Sequence, residues 1–172
     1  MPRQGRLPEY VDWYRRAFKS PDDFTAAFPN RIGIYLTLVP NVAANLRAAG
    51  AGEEADRLLA SAASTLSSKL HSTPADAGLH VYLAQIRAAQ GRDDEVVPAL
   101  TTAVNGGWLP DRMFFAIDIA DEPCFARLVN RPDFQALRQR ILARIEQERR
   151  KVPLDLLRRA YPVPANTRQI AA

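Results

Sequence analysis

The stretch VAANLRAAG at residues 42–50 recurs in altered form as LAQIRAAQG at residues 83–91. In each copy a large apolar residue precedes an alanine, and a glycine follows that alanine by seven residues. Small alanines let two helices approach closely, and glycine is the residue that most readily ends a helix. The recurrence therefore predicts two copies of one helix–turn–helix unit, whose glycines, Gly50 and Gly91, are 41 residues apart.

The similarity continues beyond the glycines. Leu59 and Ala62 follow the first glycine at the same offsets at which Leu100 and Ala103 follow the second. Acidic residues lie between each glycine and these positions. There they stabilise the N-terminal end of a new helix, which carries a partial positive charge. We therefore expect each unit to be an antiparallel pair of helices, with leucine filling the gap to the next pair.

These offsets resemble the tetratricopeptide repeat, which places a large and a small residue in its first helix, then glycine, then alanines around a large residue in its second. The family's period is about 34 residues, so the resemblance implies a longer second helix in copy one or a longer link at 67–73. Leu46 and Arg87 stand where the family often has an aromatic residue. The resemblance implies an all-α fold, a right-handed α–α superhelix of stacked antiparallel helix pairs with C-terminal capping helices.

Proline, glycine and capping residues divide the chain into segments of helical length. We expect a helical flank at 1–30, two repeats at 31–107, capping helices at 108–152, and a short helix with an extended tail at 153–172. Ser20 and Thr73, each followed by proline, are predicted to cap helices. Helices are also expected at 111–119 and 122–129.

Two segments give a conflicting signal: residues 113–119 lean towards a strand, and so do residues 32–38. Ile32, Ile34, Leu36 and Leu38 alternate with other residues, which is a pattern typical of a strand. Because all neighbours of residues 32–38 are predicted to be helical and an isolated strand pair is marginal, we predict a helix there with a kink or break at Pro40.

The region after the repeats carries a second resemblance. Gly107-Trp108, the stretch 121–128 and the stretch 131–137 are similar to the ending of tetratricopeptide arrays in bacterial regulators: winged-helix activators, adenylate-cyclase-like proteins and protein kinases. This implies the C-terminal part of a larger protein or a stand-alone relative. The Phe and Leu residues of both stretches are expected to plug the open end of the stack. Two copies are fewer than the three that a stable stack needs, so flanking helices or another chain must complete the core.

Composition excludes several classes of protein. The chain has 172 residues, 47% of them hydrophobic, and Cys124 is its only cysteine, so no internal disulfide or thiolate metal cluster is possible. No apolar run reaches the roughly 20 residues of a membrane span, and the N-terminus lacks a secretory apolar stretch. We expect a cytoplasmic protein.

Residues that could carry catalysis are scarce. His71 and His80 lack metal-ligand spacing, and the glycines form no phosphate-binding loop. Cys124 follows a proline at an expected helix start, which could lower the pKa of its thiol, but burial beside Phe125 is the better interpretation. The sequence thus predicts no catalytic residue, no metal site and no cofactor: a protein that is not an enzyme.

Positive charge is concentrated near the C-terminus. The net charge is +4, and from Gln135 onward nine Lys or Arg residues face three acids. We predict a basic surface formed by Arg138, Arg144, Arg149, Arg150 and Lys151. Such a surface could meet an anionic partner but is more often the solvated face of a helix. We expect no direct binding of nucleic acid, because no recognition motif is present.

The predicted function is a non-catalytic protein–protein interaction module, regulatory or scaffolding, whose partner is another protein, a peptide or a second copy of the chain. The resemblance implies a groove lined by the first helix of each pair, at Asn41, Ala44, Asn45, Arg47, Tyr82 and Gln85. The Lys and Asn set with which some family members hold a C-terminal carboxylate is not matched. Two alternatives remain open: a sensor domain for a small anionic ligand, and a nucleic-acid-associated accessory domain.

Overall fold

The computed structural model describes residues 7–28, 32–110 and 116–151. Over these residues the chain is 80% helical and contains no strand, which confirms the all-α prediction. The α-helices of this part are α1 Leu7–Ala17, α2 Pro21–Ala26, α3 Ile32–Ala48, α4 Gly52–Ser72, α5 Ala77–Ala89, α6 Val96–Asn105 and α7 Pro132–Lys151. Three 3₁₀ helices join them, Asp93–Glu95, Ile119–Asp121 and Pro123–Leu128; we call the last of these the closing helix.

The predicted helix at 111–119 is wrong where it can be compared: residues 116–118 are not helical, and only a 3₁₀ turn begins at Ile119. The segment predicted at 122–129 is helical, but as 3₁₀ rather than α. The short helix and extended tail expected at 153–172 lie outside the described residues.

The segment with the alternating pattern is helical. α3 runs from Ile32 to Ala48 and continues through Pro40. Tyr35, Leu36 and Val39 are fully buried, and their spacing is that of one helix face. Leu38, in contrast, is 38% exposed, so the alternation came from an apolar residue on the outer face rather than from a strand.

The repeated glycines end helices in the same way. The backbone φ of Gly50 is +80° and that of Gly91 is +76°, values that favour glycine. In both turns the glycine N–H donates to the carbonyl three residues earlier, and the next N–H donates to the carbonyl five residues earlier. This is the Schellman arrangement, and it lets α3 turn into α4 and α5 turn towards α6 over few residues.

One predicted helix start is confirmed and another is wrong. Ser20 forms a capping box with Asp23, as the pattern predicted. Thr73 was expected to start a helix, but it ends α4 instead, where its Oγ1 donates to the Lys69 carbonyl at 2.9 Å. Asp76 caps α5, accepting from the N–H groups of Gly78 and Leu79 at 2.9 and 3.3 Å.

The buried side chains form two clusters that meet at α5. The N-terminal cluster combines residues of α1 to α4 with Leu79 and Ile86 of α5. The C-terminal cluster combines Val81, Ala84 and Ala88 of α5 with residues of α6, the closing helix and α7. The flanking helices therefore complete the core around the two helix pairs within this chain.

The end of the stack is closed by the residues that the sequence singled out. Phe125 and Phe134 are almost fully buried, with ring centroids 5.9 Å apart. Leu128 and Leu137 lie beside them in the C-terminal cluster. The aromatic residues of the two terminal stretches are core residues and are not available to a ligand.

The glycine turns give a first prediction. Gly50→Ala should lower the free energy of unfolding by about 1 kcal/mol, because alanine is strained at positive φ although no atom lies within 4 Å of the added Cβ. Gly52→Ala is the matched control: its site is equally open and the residue is helical, so no loss is expected. Urea unfolding at 25 °C measures both. Equal losses would contradict the role given to the turn.

A second prediction concerns the contact of α3 with α5. A Cβ on Gly33 would lie 2.9 Å from the Tyr82 hydroxyl oxygen but 3.6 Å from the ring carbon that carries it. Gly33→Ala should therefore be less favourable in the natural chain than in a Tyr82→Phe background, by about 1 kcal/mol. A double-mutant cycle of urea unfolding measures this difference. Identical effects in both backgrounds would show that the ring moves aside freely.

Candidate binding groove

A cavity of about 660 Å³ opens between α3, the end of α5 and the closing helix. It is lined by Pro40, Asn41, Ala44, Asn45, Arg47, Ala88, Ala89, Pro123, Cys124 and Arg127. Asn41, Asn45 and Arg47, three of the residues predicted to form a partner-binding groove, thus share one cavity wall with Ala44. We refer to this cavity as the groove.

Two arginines border the groove and converge on the C-terminal end of α5. The Arg47 guanidinium donates to the Ala89 carbonyl and, through Nη2, to Asp56 Oδ1 at 2.5 Å. Arg127 Nη2 donates to the Ala88 carbonyl at 2.7 Å and to Asp93 Oδ1 at 2.8 Å. Cations are stabilised at this end of a helix, where carbonyl groups lack helical donors. These bonds fix the positions of α3 and the closing helix relative to α5.

The lining of the groove contains two cations and no acid. The side chains of Arg47 and Arg127 are 40% and 56% exposed. The pKa of Arg127 is raised, mainly by its hydrogen bond with Asp93. A guanidinium has five N–H donors, so each arginine keeps donors for a ligand after making these contacts. The groove therefore favours hydrogen-bond acceptors, while the charges of its two arginines are already paired with Asp56 and Asp93.

Amide side chains supply the other polar groups. Asn41 is exposed and Asn45 is half-buried, one turn apart on α3. Burial raises the pKa of Tyr10 on α1, and a hydrogen bond between Tyr10 and Asn45 partly offsets that rise. Asparagine offers both a donor and an acceptor, as the backbone of an extended peptide does.

The structure places the other two predicted groove residues elsewhere. Gln85 is only 3% exposed and belongs to the interior. Tyr82 is half-buried between both core clusters, with its hydroxyl close to Gly33. In the repeat register Gln85 corresponds to Ala44, but Ala44 is exposed at the groove whereas Gln85 is covered by neighbouring helices. That burial removes Gln85 from any surface that a partner can reach.

Sequence reasoning missed the contributions of α5 and the closing helix. Ala88, Ala89 and Pro123 carry no recognisable chemical signal. Arg127 meets Asp93 across 34 residues of sequence, and no local pattern indicates such a pair. The pattern of the stretch 121–128 indicates a plug for the end of the stack and gives no signal for its outward side chains.

Cys124 lies on the groove wall but its thiol is not activated. Burial, with a smaller contribution from the charge of Glu122, raises the pKa of the thiol to about 12. The lowering that a helix start could have produced is absent. The thiol is therefore protonated near neutral pH, and nucleophilic attack requires the thiolate.

The predicted basic surface divides into two parts. Arg138 is paired with Asp118, with Nε at 2.8 and 2.9 Å from the carboxylate oxygens, and Arg144 donates to the Val104 carbonyl at the end of α6. These two side chains hold α7 in place. Arg149, Arg150 and Lys151 are 77%, 76% and 69% exposed and pair with Glu146 or Glu148 along the helix.

The histidines have separate environments. His80 Nε2 lies 3.1 Å from the Pro74 carbonyl, and His71 is exposed at the end of α4. Within residues 7–28, 32–110 and 116–151, no three His, Cys, Asp or Glu side chains are grouped as a metal site requires. Over the same residues, no helix has the length and apolar character needed to cross a membrane.

Comparison of the chain with protein-family models, with curated proteins and with solved structures found no match. Any functional conclusion therefore depends on the repeat pattern and on the geometry described above.

The pairing of Arg138 gives a third prediction. The Arg138 guanidinium holds the pKa of Asp118 below its usual range, mainly through their hydrogen bonds. The pair therefore stabilises the fold above the ordinary aspartate pKa, and this contribution is lost as pH falls through the lowered value. Arg138→Gln should destabilise the protein at pH 7, and the difference from the natural chain should shrink towards pH 2 to 3.

The control for this prediction is Arg140→Gln on the same helix. Arg140 donates to the Asn105 side-chain oxygen at 3.1 Å, and an amide does not titrate. Its effect on the unfolding free energy should not change over the same acidic range. A constant loss for Arg138→Gln between pH 7 and pH 2 would contradict the ion pair.

Proposed function

We propose that this chain is a non-catalytic, tetratricopeptide-like interaction module whose groove binds an extended segment of a protein or peptide. The equivalences between the two helix pairs support the family resemblance. Ala43 and Ala84 are both fully buried, as are Ala62 and Ala103, and the paired glycines form the same turn. The resemblance, which this equivalence supports, implies a right-handed superhelical stacking of the pairs.

The observation that carries the proposal is the composition of the groove wall. It takes residues from α3 and α5, which are the first helices of the two pairs, and from the closing helix that follows them. In a helical-repeat stack the first helices line the concave surface used for recognition. Polar side chains along that surface then select the partner, while the rigid helices keep the cost of ordering low.

The dimensions suit a short peptide segment. The groove wall from Asn41 to Arg47 spans about 9 Å of helix, which is the length of about three residues of extended chain. Asn41 and Asn45 can pair with the backbone of such a segment, and the two arginines can pair with acceptor or acidic side chains. Ala44, Ala88 and Ala89 leave room for its side chains.

Other parts of the proposal follow from the resemblance alone. We propose a cytoplasmic, regulatory or scaffolding role in a bacterial protein, without a cofactor and with homo-oligomerisation as one form of partner binding. The groove supports recognition of a polypeptide more directly than recognition of nucleic acid, because the exposed cations of α7 are paired with acids of the same helix.

The proposal predicts the outcome of peptide selection. A random peptide library selected against the chain should yield peptides that bind in fluorescence anisotropy and compete with one another. Asn41→Trp should weaken them at least about tenfold, because the indole fills the groove from an exposed position. Circular dichroism and thermal unfolding establish that the variant is folded.

Ser67→Trp is the matched control, since Ser67 is exposed on α4 and does not line the groove. It should leave peptide affinity unchanged. Selected peptides that bind equally well to Asn41→Trp would refute this groove as the recognition surface. A library that yields no specific binder would refute peptide recognition.

A further inference from the structure

A second cavity, of about 620 Å³, lies between α1, the start of α2 and α4. Its lining residues are Tyr14, Arg15, Phe18, Lys19, Ser20, Pro21, Glu54 and Arg57. None of them lines the groove. This second cavity therefore has its own chemistry, which the proposed function does not use.

The charge of its lining side chains is the most specific feature of this second cavity. Three cations, Arg15, Lys19 and Arg57, face one acid, Glu54. Arg15 holds that acid through both carboxylate oxygens, with Nε at 3.0 and 3.2 Å. The hydrogen bonds from Arg15 lower the pKa of Glu54, so it is ionised at neutral pH and its charge is matched by Arg15.

Two positive charges remain among the lining residues after this pair. At the edge of the cavity, the Asp23 carboxylate accepts from the backbone N–H groups of Lys19 and Ser20. Among the described residues, neither Lys19 nor Arg57 forms a salt bridge with a carboxylate of its own, although Arg57 feels the field of Glu54. Both side chains are exposed at the cavity. A ligand with two negative charges would neutralise them without breaking the Arg15–Glu54 contact.

Aromatic rings supply the apolar wall. Tyr14 and Phe18 have ring centroids 5.5 Å apart, and Phe18 packs edge-on against Phe24 at 4.9 Å. Phe24 is buried and fixes the position of Phe18. Burial raises the pKa of Tyr14 to about 12, so its phenol stays neutral and does not repel an anion.

We propose that this second cavity binds a small phosphate ester that carries an aromatic ring. The phosphate, which bears close to two negative charges above its second pKa of about 6, pairs with Lys19 and Arg57. The ring packs against Phe18 and the edge of Tyr14. A carboxylate has one charge only, and inorganic phosphate has no apolar part, so each satisfies half of the site.

Phenyl phosphate is the probe that tests the proposal. Isothermal titration at pH 8 should show it binding at least about tenfold more tightly than inorganic phosphate and than benzoate. The fluorescence of Trp13 reports where phenyl phosphate binds, because the centroid of its ring lies 6.1 Å from that of Phe18. In a Trp108→Phe background Trp13 is the only tryptophan, and its fluorescence should change on saturation with phenyl phosphate.

Charge removal provides the matched variants. Lys19→Gln and Arg57→Gln should each weaken phenyl phosphate about tenfold, as expected for a lost charge-assisted hydrogen bond. Arg16→Gln on α1 and Lys69→Gln on α4 remove the same charge outside the cavity and should leave binding unchanged. The groove variant Asn41→Trp should also leave it unchanged, which separates this site from the proposed function.

Several results would overturn the proposal. One is the absence of phenyl phosphate binding. Another is an equal loss of affinity in the cavity variants Lys19→Gln and Arg57→Gln and in the control variants Arg16→Gln and Lys69→Gln. A third is an affinity for inorganic phosphate or benzoate equal to that for phenyl phosphate. Tighter binding of a phosphotyrosine pentapeptide than of phenyl phosphate would overturn the assignment to a small molecule in favour of a modified protein.

Discussion

Burial of α5 on opposite sides is the constraint on which the other helices depend. Leu79 and Ile86 face the N-terminal cluster, whereas Val81, Ala84 and Ala88 face the C-terminal cluster. A helix in this position must be apolar around most of its circumference and small where neighbours approach closely. α5 meets both needs, and it therefore joins two sets of helices that would otherwise share little core.

The same position explains why the end of α5 matters for recognition. A helix that ends in the centre of a stack leaves carbonyl groups that need donors. Gly91 closes the backbone, and Arg47 and Arg127 reach the last carbonyls from α3 and from the closing helix. The side chains that satisfy this end also border the groove. Stability and the shape of the binding surface are thus set by the same few bonds.

Much of the fold could be predicted because its signals are local. The spacing of alanine, leucine and glycine in 42–50 and 83–91 indicated the helices, their ends and the pairing of α3 with α4 and of α5 with α6. Ser20, the capping residue of α2, could be predicted from the local sequence in the same way. The prediction for Thr73 is wrong because Thr-Pro fits a helix start, while Asp76 three residues later provides the side chain that caps α5.

The candidate site was only half predictable because it depends on packing between distant segments. Register alone indicated Asn41, Asn45 and Arg47, which line the groove on α3. It failed for Gln85, since repeat position does not show which face of a helix its neighbours cover. Arg127 and the cations of the second cavity are brought together by helices far apart in sequence, and no pattern within one segment reveals that.

Pro40 gives the groove wall a property of a different kind. Proline has no N–H, so the Leu36 carbonyl loses its helical donor in the middle of α3, at the residue where the groove begins. Val42, Ala43 and Leu46, beyond the proline, are buried in the same cluster as Tyr35. Packing, and not the missing hydrogen bond, therefore holds the groove-lining half of α3 against the core.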